Sequence, residues 1–358
     1  MELGFFTMPL HPPGSNITET LDHDLEQIVI LDQLGYQEAW IGEHFTFEWE
    51  NIPCPELFIA KALAMTQNIV FGTGVTCMPI HNPAVVAHRI AQLDHLAHGR
   101  FRWGVGSSST PGDWEMFGFD PTVQDRRKAT VDGIDAVLSL WQDPPPGAYE
   151  SGPWRFSVPQ PNQRIGLRLH LKPYQKPHPP IAVAGSSPKS DTLVLAGQRG
   201  WIPMSINLMP VSIIKTHWEA VEEGADQVGR RADRSTWRIA REVYVADTTS
   251  QARREALEGT LARDFTDYWF QLLGQGRFKQ DPNMSDDDVT IKYVLDNLWI
   301  VGNPDDVANQ LRQLYQEVGG FGVLLAMGHE WFPRQAWVHS MSLLKNEVLP
   351  QLADLNGN

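Results

Sequence analysis

A chain of 358 residues, 42% of them hydrophobic, can bury a large core, and its length suits either one α/β barrel or two ordinary domains. A formal net charge of −14, with no cluster of Lys or Arg, argues against nucleic acid or an anionic membrane as a partner. Cys54 and Cys77 are the only cysteines and have no ligand-like spacing, which argues against a disulfide framework or a zinc finger and suits a reducing cytoplasm. The opening Met1-Glu2-Leu3-Gly4-Phe5-Phe6 lacks a basic region, and no apolar run approaches ~18 residues, so neither a signal peptide nor a membrane span is expected.

Leu3–Thr7 predicts a first strand. Thr18–Leu34 follows as a helix, with Leu21, Leu25, Ile28 and Leu31 at helical spacing and Gly35 as its stop. Ala39–Gly42 is the second strand, Pro55–Thr66 the next helix and Ile69–Met78 the third strand. Pro83–Ala97 is helical up to Gly99, and Phe101–Val105 is the fourth strand. Pro144–Pro180, rich in Pro and Gly, reads as an inserted hairpin or loop, because strand–helix alternation resumes directly after it. Pro180–Gly185, Lys189–Gly197, Trp201–Ile206 and Val211–Val228 make two more strand–helix pairs. Trp237–Ala246 is a seventh strand, and a long helical region starts near Ser250. Gln275–Asp288 is polar and carries Gly276, Pro282 and three consecutive Asp, the composition of a mobile lid over a barrel mouth. Asn303–Val318, Phe321–Ala326 and Pro333–Leu349 complete the last unit. Eight strands, most followed by a helix, amount to a (β/α)8 TIM barrel. We expect one domain over residues 1–358, with insertions at about 143–179 and 270–292.

Familiar motifs are absent. Gly104-Val105-Gly106-Ser107-Ser108-Ser109 misses the third glycine of a dinucleotide fingerprint, and Pro111-Gly112 turns the chain where its helix should begin. There is no Walker loop, GxSxG elbow or HExxH, and Asp94, His95 and His98 read as helix-face residues, not a metal site.

In a barrel, chemistry sits at the C-terminal ends of strands, and that rule selects candidates directly. After the second strand come Glu43 and His44, and an imidazole there that titrates near neutrality can move protons. After the third, Thr73, Gly74 and Val75 present bare backbone to which a flat ring can come close, and after the fourth Gly106 and Ser107 offer small side chains and free N–H groups. After the fifth, Gly185, Ser186, Ser187 and Ser190 precede a helix, with Ser187 as N-cap and Pro188 at its first position, an arrangement suited to an anion. Lys189 and Arg126 are candidate counter-charges. A phosphate site, a seat for a planar ring and one histidine together describe a mononucleotide cofactor with a reactive edge.

At these residues the chain resembles the bacterial luciferase-like flavin-dependent monooxygenases. The resemblance runs through Trp40-Ile41-Gly42-Glu43-His44, Gly72-Thr73-Gly74, His98-Gly99-Arg100-Phe101-Arg102-Trp103-Gly104-Val105-Gly106 and Pro180–Pro188 to Val301-Gly302-Asn303-Pro304. Trp49-Glu50-Asn51-Ile52-Pro53 and Val318-Gly319-Gly320-Phe321-Gly322 look most like the limonene and diketocamphane monooxygenase branch. The resemblance implies that His44 is the catalytic histidine and Glu43 a flavin contact. It also implies that Gly74-Val75 cradles the isoalloxazine, often through a non-proline cis peptide, and that Ser186, Ser187 and Ser190 bind phosphate. Luciferases carry a cysteine where this chain has Gly106 and an arginine where it has Ser107, which argues against light emission and draws Arg126 towards the phosphate. Reduced FMN from a separate flavin reductase would react with O2 to a C4a-peroxyflavin, which oxygenates a small apolar substrate such as a cyclic ketone or terpene. Phe6, Met8, Met78 and Trp331 are the rim residues placed against that substrate, and a homodimer or heterodimer is expected. The rival readings are a deazaflavin (F420)-dependent oxidoreductase on the same fold and a flavin-binding protein without turnover.

Overall fold

In the computed structural model, which describes residues 1–8 and 10–357, eight strands close into a parallel barrel. They are β1 (Glu2–Thr7), β2 (Glu38–Ile41), β3 (Val70–Thr73), β4 (Phe101–Gly106), β5 (Ile181–Gly185), β6 (Ile202–Ser205), β7 (Arg238–Arg241) and β8 (Val323–Met327). Each pairs with its neighbours in sequence, and β1 pairs with β8 to complete the ring. Helices over Ile17–Leu34, Pro55–Leu63, Pro83–Ala97, Arg126–Trp141, Asp191–Arg199, Val211–Gln227, Pro304–Val318 and Arg334–Leu343 surround it. Alternation along each strand separates two apolar sets. Trp40, Ala182, Met204, Ala240, Val323, Leu325 and Met327 fill the barrel, with Phe6, Val75, Ala184 and Ile202 against them. Leu3, Phe5, Ala39, Ile41, Phe71, Phe101, Trp103, Ile181, Ile239 and Leu324 face outward into the helix layer. A surface buried on both sides explains why β8, Val323–Met327, reads as an unbroken apolar run.

The bottom of the barrel is closed by charge. Glu38 accepts from Arg238 Nε and Nη2, both at 3.1 Å, pairs with Arg102, and takes the Trp40 Nε1 proton at 2.8 Å. Burial lowers both guanidinium pKa values to about 10, with the neighbouring Arg238 charge adding to the effect on Arg102, so both remain cations at neutral pH. Above this layer lies the Trp40 indole. A Cβ on Gly72 would stand 2.2 Å from its ring, and one on Gly104 would stand 1.9 Å from the Thr73 carbonyl oxygen, so both positions require glycine for close approach.

Two strands expected as continuous are broken. Ile69–Met78 divides at a cis Gly74-Val75 peptide into β3 and a short pair of residues, Thr76–Cys77, that joins β4. Trp237–Ala246 divides at Glu242: β7 belongs to the barrel, whereas Val243–Val245 leaves it to pair with Ile300–Gly302. The Pro-rich stretch contains an antiparallel hairpin, Gly147–Ser151 with Trp154–Val158. Its return is fixed by Asp94, which is fully buried and accepts from the Gln175 backbone N–H and Nε2, so this helix-face aspartate is a structural anchor. Gln275–Asp288 holds two single turns, and Phe278 is buried against Phe265 and Phe270 at 5.5 Å each. No helix among the described residues is long and apolar enough to cross a membrane.

Because the Gly72 Cα faces the indole without slack, Gly72→Ala is expected to cost ~1–3 kcal/mol by overpacking. In a Trp40→Phe background the same change should cost measurably less, a non-additivity that chemical denaturation of the four proteins would read. Equal costs in both backgrounds would show that the indole does not set this constraint.

Candidate active site

Carrying the strand alternation from Trp40 through Gly42 to position 44 brings His44 over the mouth of the barrel. The loop that carries it folds back on itself: His44 N donates to Ile52 O at 3.3 Å, and His11 N donates to Trp49 O at 2.9 Å. The ring lies between two carboxylates, its side chain only 15% exposed. Glu50 Oε2 stands 3.0 Å from Nε2, Thr110 Oγ1 is 3.2 Å from Nδ1, and Asp113 Oδ2 is 3.7 Å from Nδ1. Each carboxylate is held from behind. Tyr268 donates its hydroxyl proton to Glu50 Oε1, and Asp113 Oδ1 accepts from Thr46 N at 2.9 Å and Thr46 Oγ1 at 2.6 Å. A Cβ on Gly112 would lie 2.6 Å from that threonine oxygen, the local reason for glycine there. Tyr268 is itself fixed by stacking on Trp49 at 5.5 Å.

Burial opposes charge on His44, but Glu50 and Asp113 outweigh it and raise the pKa to about 10. The imidazole is therefore a cation across the physiological range, and an expected titration near neutrality is corrected upward. The sequence pattern missed Glu50, Asp113, Thr110 and Tyr268. Glu50 stood inside a motif read only for likeness, and Asp113 follows the Pro111-Gly112 turn, read only for what it excluded.

Glu43 points away from His44: its Oε1 accepts from Cys77 N at 3.1 Å and pairs with His81 Nε2 at 2.9 Å. Its Oε2 is buried and has no partner among the described residues, and the same holds for Trp114 Nε1. The Thr73 hydroxyl donates to Gly104 O at 2.8 Å and accepts from Gly104 N and Thr76 Oγ1, so its side chain is spent within the barrel and only its backbone is left for a ligand. The glycines are likewise occupied on their Cβ side. Phe6 packs at 2.9 Å from that position on Gly74, and Val75 at 2.4 Å from that on Gly106.

At β5 the loop Ser186–Ser187 is exposed to half-buried, but the capping is not as expected. The helix spans Asp191–Arg199 with Ser190 at the N-cap position, and Lys189 adopts a φ of 45°, so neither Ser187 nor Pro188 caps it. Ser190 is buried and its hydroxyl meets Thr192 Oγ1 at 2.8 Å. Gly185 leaves room for Leu193, which would lie 2.4 Å from an added Cβ. A relay sets the loop: Trp237 Nε1 donates to Ser205 Oγ, which lies 2.8 Å from His217 Nδ1, and His217 Nε2 reaches Ser187 O at 3.0 Å. Burial lowers the His217 pKa to about 4, so this histidine is neutral. Arg126 opens the neighbouring helix. It donates to Ser108 O at 2.8 Å, lies 4.7 Å over the Trp114 ring, and pairs with no carboxylate among the described residues. The adjacent Arg127 does pair, with Asp191, which ties the two helix starts together. Ser107 is half-buried in the intervening turn.

Of the rim residues, Phe6 lines the barrel and Met8 lies 2.4 Å from a Cβ built on Gly42. Trp331 is buried after β8 with its Nε1 unpartnered. Met78 is corrected: it is buried on the helix side, its Cε 2.7 Å from a Cβ built on Gly133, and does not reach the mouth. A groove of about 1210 Å³ lies at the other end, between Glu2, Trp218, Arg234 and Gly322, where the strands begin. Barrel chemistry does not use that end.

The profile of the luciferase-like monooxygenase family matches residues 1–320. 4-Hydroxyprotoasukamycin monooxygenase of Streptomyces nodosus subsp. asukaensis is 35% identical over 357 residues, 98% of this chain and 92% of that protein. Limonene 1,2-monooxygenase of Rhodococcus erythropolis is 31% identical over 98% of this chain and 86% of its own length. The oxygenating constituent of 3,6-diketocamphane monooxygenase of Pseudomonas putida, a type II Baeyer–Villiger monooxygenase solved with FMN, superposes with a TM-score of 0.90 at 29% identity, covering 98% of each chain. F420-dependent hydroxymycolic acid dehydrogenase of Mycobacterium tuberculosis is more distant, 25% identical over 90% of this chain and 82% of its own.

Since its pKa is raised from 6.5 to about 10, His44 stabilises the fold fully below its unfolded value and loses that contribution as pH rises through about 10. Histidine-selective 15N NMR should find His44 charged at pH 8 and His217, whose shift is downward, neutral at pH 6. A neutral His44 at pH 8 would refute the carboxylate clamp.

Proposed function

Because this chain belongs to the luciferase-like monooxygenase family, we propose that it is the oxygenase component of a two-component system, taking reduced FMN from a separate reductase and placing one oxygen atom of O2 on a small apolar substrate such as a cyclic ketone or terpene. The observation that carries this reading is a proton-bearing His44 and an uncompensated Arg126 on one barrel rim. The residues present fit the cofactor. Arg126 pairs with no carboxylate among the described residues, its neighbour Arg127 reaches Asp191 of the helix that follows the Ser186–Ser187 loop, and Arg277 donates to Ser186 O at 2.6 Å, so cationic side chains are available for a phosphate dianion at this end of the barrel. Buried Glu43 Oε2 is an acceptor without a partner among the described residues, close to the Gly74-Val75 end of β3 through the Glu43 contact with Cys77 N, and it suits an N–H group of a flavin ring.

Reduced FMN, when bound, supplies the electrons that activate O2. The chain supplies the rest. Ser186, Ser187 and Arg126 hold the phosphate end, and the neutral His217 keeps Ser187 in place without placing a second positive charge behind it. Phe6, Val75 and Trp40 pack the barrel below the rim and keep water from reaching the site from beneath. His44 holds its proton at Nδ1 and Nε2 through Thr110, Asp113 and Glu50, and so acts as an acid towards oxygen that gains charge during transfer.

His44→Ala should bind reduced FMN within a few-fold of wild type and still consume O2, but form product at least ~10²-fold more slowly and release hydrogen peroxide instead. The measurement is the ratio of product to oxygen consumed, with reduced FMN and a panel of cyclic ketones and terpenes. The wild-type rate should show no limb from His44 near neutrality and should fall as pH approaches about 10. A variant that stays coupled at the wild-type rate would remove His44 from the reaction.

A further inference from the structure

Inward-facing positions of a barrel stack in layers, and here the layer beneath the mouth includes Phe6, Ala184, Met204, Ala240 and Met327. Two positions further along β7 and β8 come Glu242 and His329. Both are buried, and both are held on one side only. Asn207 Nδ2 donates to Glu242 Oε1, and His329 Nδ1 lies 2.8 Å from Asp264 Oδ2. Asp264 is in turn paired with Arg263, which fixes the carboxylate against His329 Nδ1. Glu242 Oε2 and His329 Nε2 have no partner among the described residues. β7 and β8 run paired side by side, with Arg241 against Ala326, so Glu242 and His329 follow adjacent strand ends. Leaving two such atoms buried and unmet is costly, and a native structure keeps them where a ligand completes them.

The order of strands around the ring sets what that ligand is. In an eight-membered ring β7 lies across from β3 and β8 across from β4. The β3 and β4 ends, with Gly74, Val75 and Gly106, are where the proposed flavin ring would rest. The wall opposite therefore belongs to the substrate. We propose that Glu242 and His329 form the polar anchor of the substrate site and select molecules that carry a hydroxyl or carbonyl oxygen on an otherwise apolar ring. A hydroxyl, donor and acceptor at once, can meet both Glu242 Oε2 and His329 Nε2, whereas a carbonyl oxygen, an acceptor only, can meet just one of them. Apolar neighbours such as Phe6 and Met327 take up the remainder of the molecule. A pure hydrocarbon would leave both polar atoms unmet, the situation in which sites built for hydrogen bonds discriminate most strongly. The anchor rests on the reading of this mouth as an oxygenation site, but not on flavin being bound.

The test is equilibrium binding of p-menthane, menthol and menthone, one carbon skeleton in three oxidation levels, to the flavin-free protein. Glu242→Met should lower affinity for menthol and menthone at least ~10-fold and leave p-menthane unchanged or tighter. Glu242→Gln, which keeps both donor and acceptor, should retain most of the wild-type preference. His329→Phe should weaken menthol more than menthone. Unchanged p-menthane binding certifies the fold of each variant. Equal changes for all three ligands, or a preference that survives Glu242→Met, would overturn the anchor. A wild-type protein that shows the preference but oxygenates nothing with reduced FMN would overturn the oxygenase reading alone.

Discussion

The Trp40 indole lies inside the barrel with its N–H 2.8 Å from Glu38, and that carboxylate is shared with Arg238 and Arg102. An aromatic this large leaves no volume for a side chain at 72 on β3, and the Thr73 carbonyl of the same strand excludes one at 104 on β4, so both positions carry glycine. The buried carboxylate that receives the indole proton needs cations of its own, and the two arginines meet that need from β4 and β7. A single bulky residue on β2 thus sets the composition of three other strands. It also leaves the upper barrel narrow, lined by Phe6, Ala184, Ala240 and Met327, and confines polar chemistry to the layer above.

That upper layer shows how neighbours, not residue type, assign chemistry. His44 and His217 both lie at the C-terminal side of the barrel and both are largely buried, and burial alone lowers the pKa of each. His44 faces Glu50 and Asp113 and is driven to about 10. His217 faces a serine hydroxyl, a backbone carbonyl and the Arg241 charge, and settles at about 4. One becomes a stored proton and the other a neutral strut for the loop that meets the cofactor's phosphate in our reading. His11 belongs with the first class: Asp24 and Glu330 raise it to about 9 against its burial.

Function in this fold also depends on segments outside the eight units. Tyr268, which holds Glu50 in place, comes from the helical stretch after the small Val243–Val245 strand, and Asp264 and Arg263 of the same stretch hold His329. The exit of the chain at Glu242 produces both that small sheet and the buried carboxyl at the end of β7. The helical stretch over residues 263–268 therefore holds side chains at the barrel's C-terminal end in place.

Composition, period-two and helical spacing, and the glycine and proline stops are local, and they were enough to read eight strands, their helices, the inserted hairpin and the strand-end position of His44. The cis Gly74-Val75 peptide came from family likeness and not from the residues themselves. What the chain by itself does not reveal is everything that depends on two segments meeting. Glu50 and Asp113 are ordinary acidic residues in sequence until the fold places them 3.0 and 3.7 Å from one imidazole. The bond of the Thr73 hydroxyl to β4 cannot be read from sequence, and Met78 reads as a rim residue until the helix at Gly133 covers it. Alternation determines which face a side chain takes, because it is a property of the extended backbone. Electrostatics and close packing depend on distances across the chain, so only the tertiary structure decided which histidine is charged and which polar atoms are left to meet a ligand.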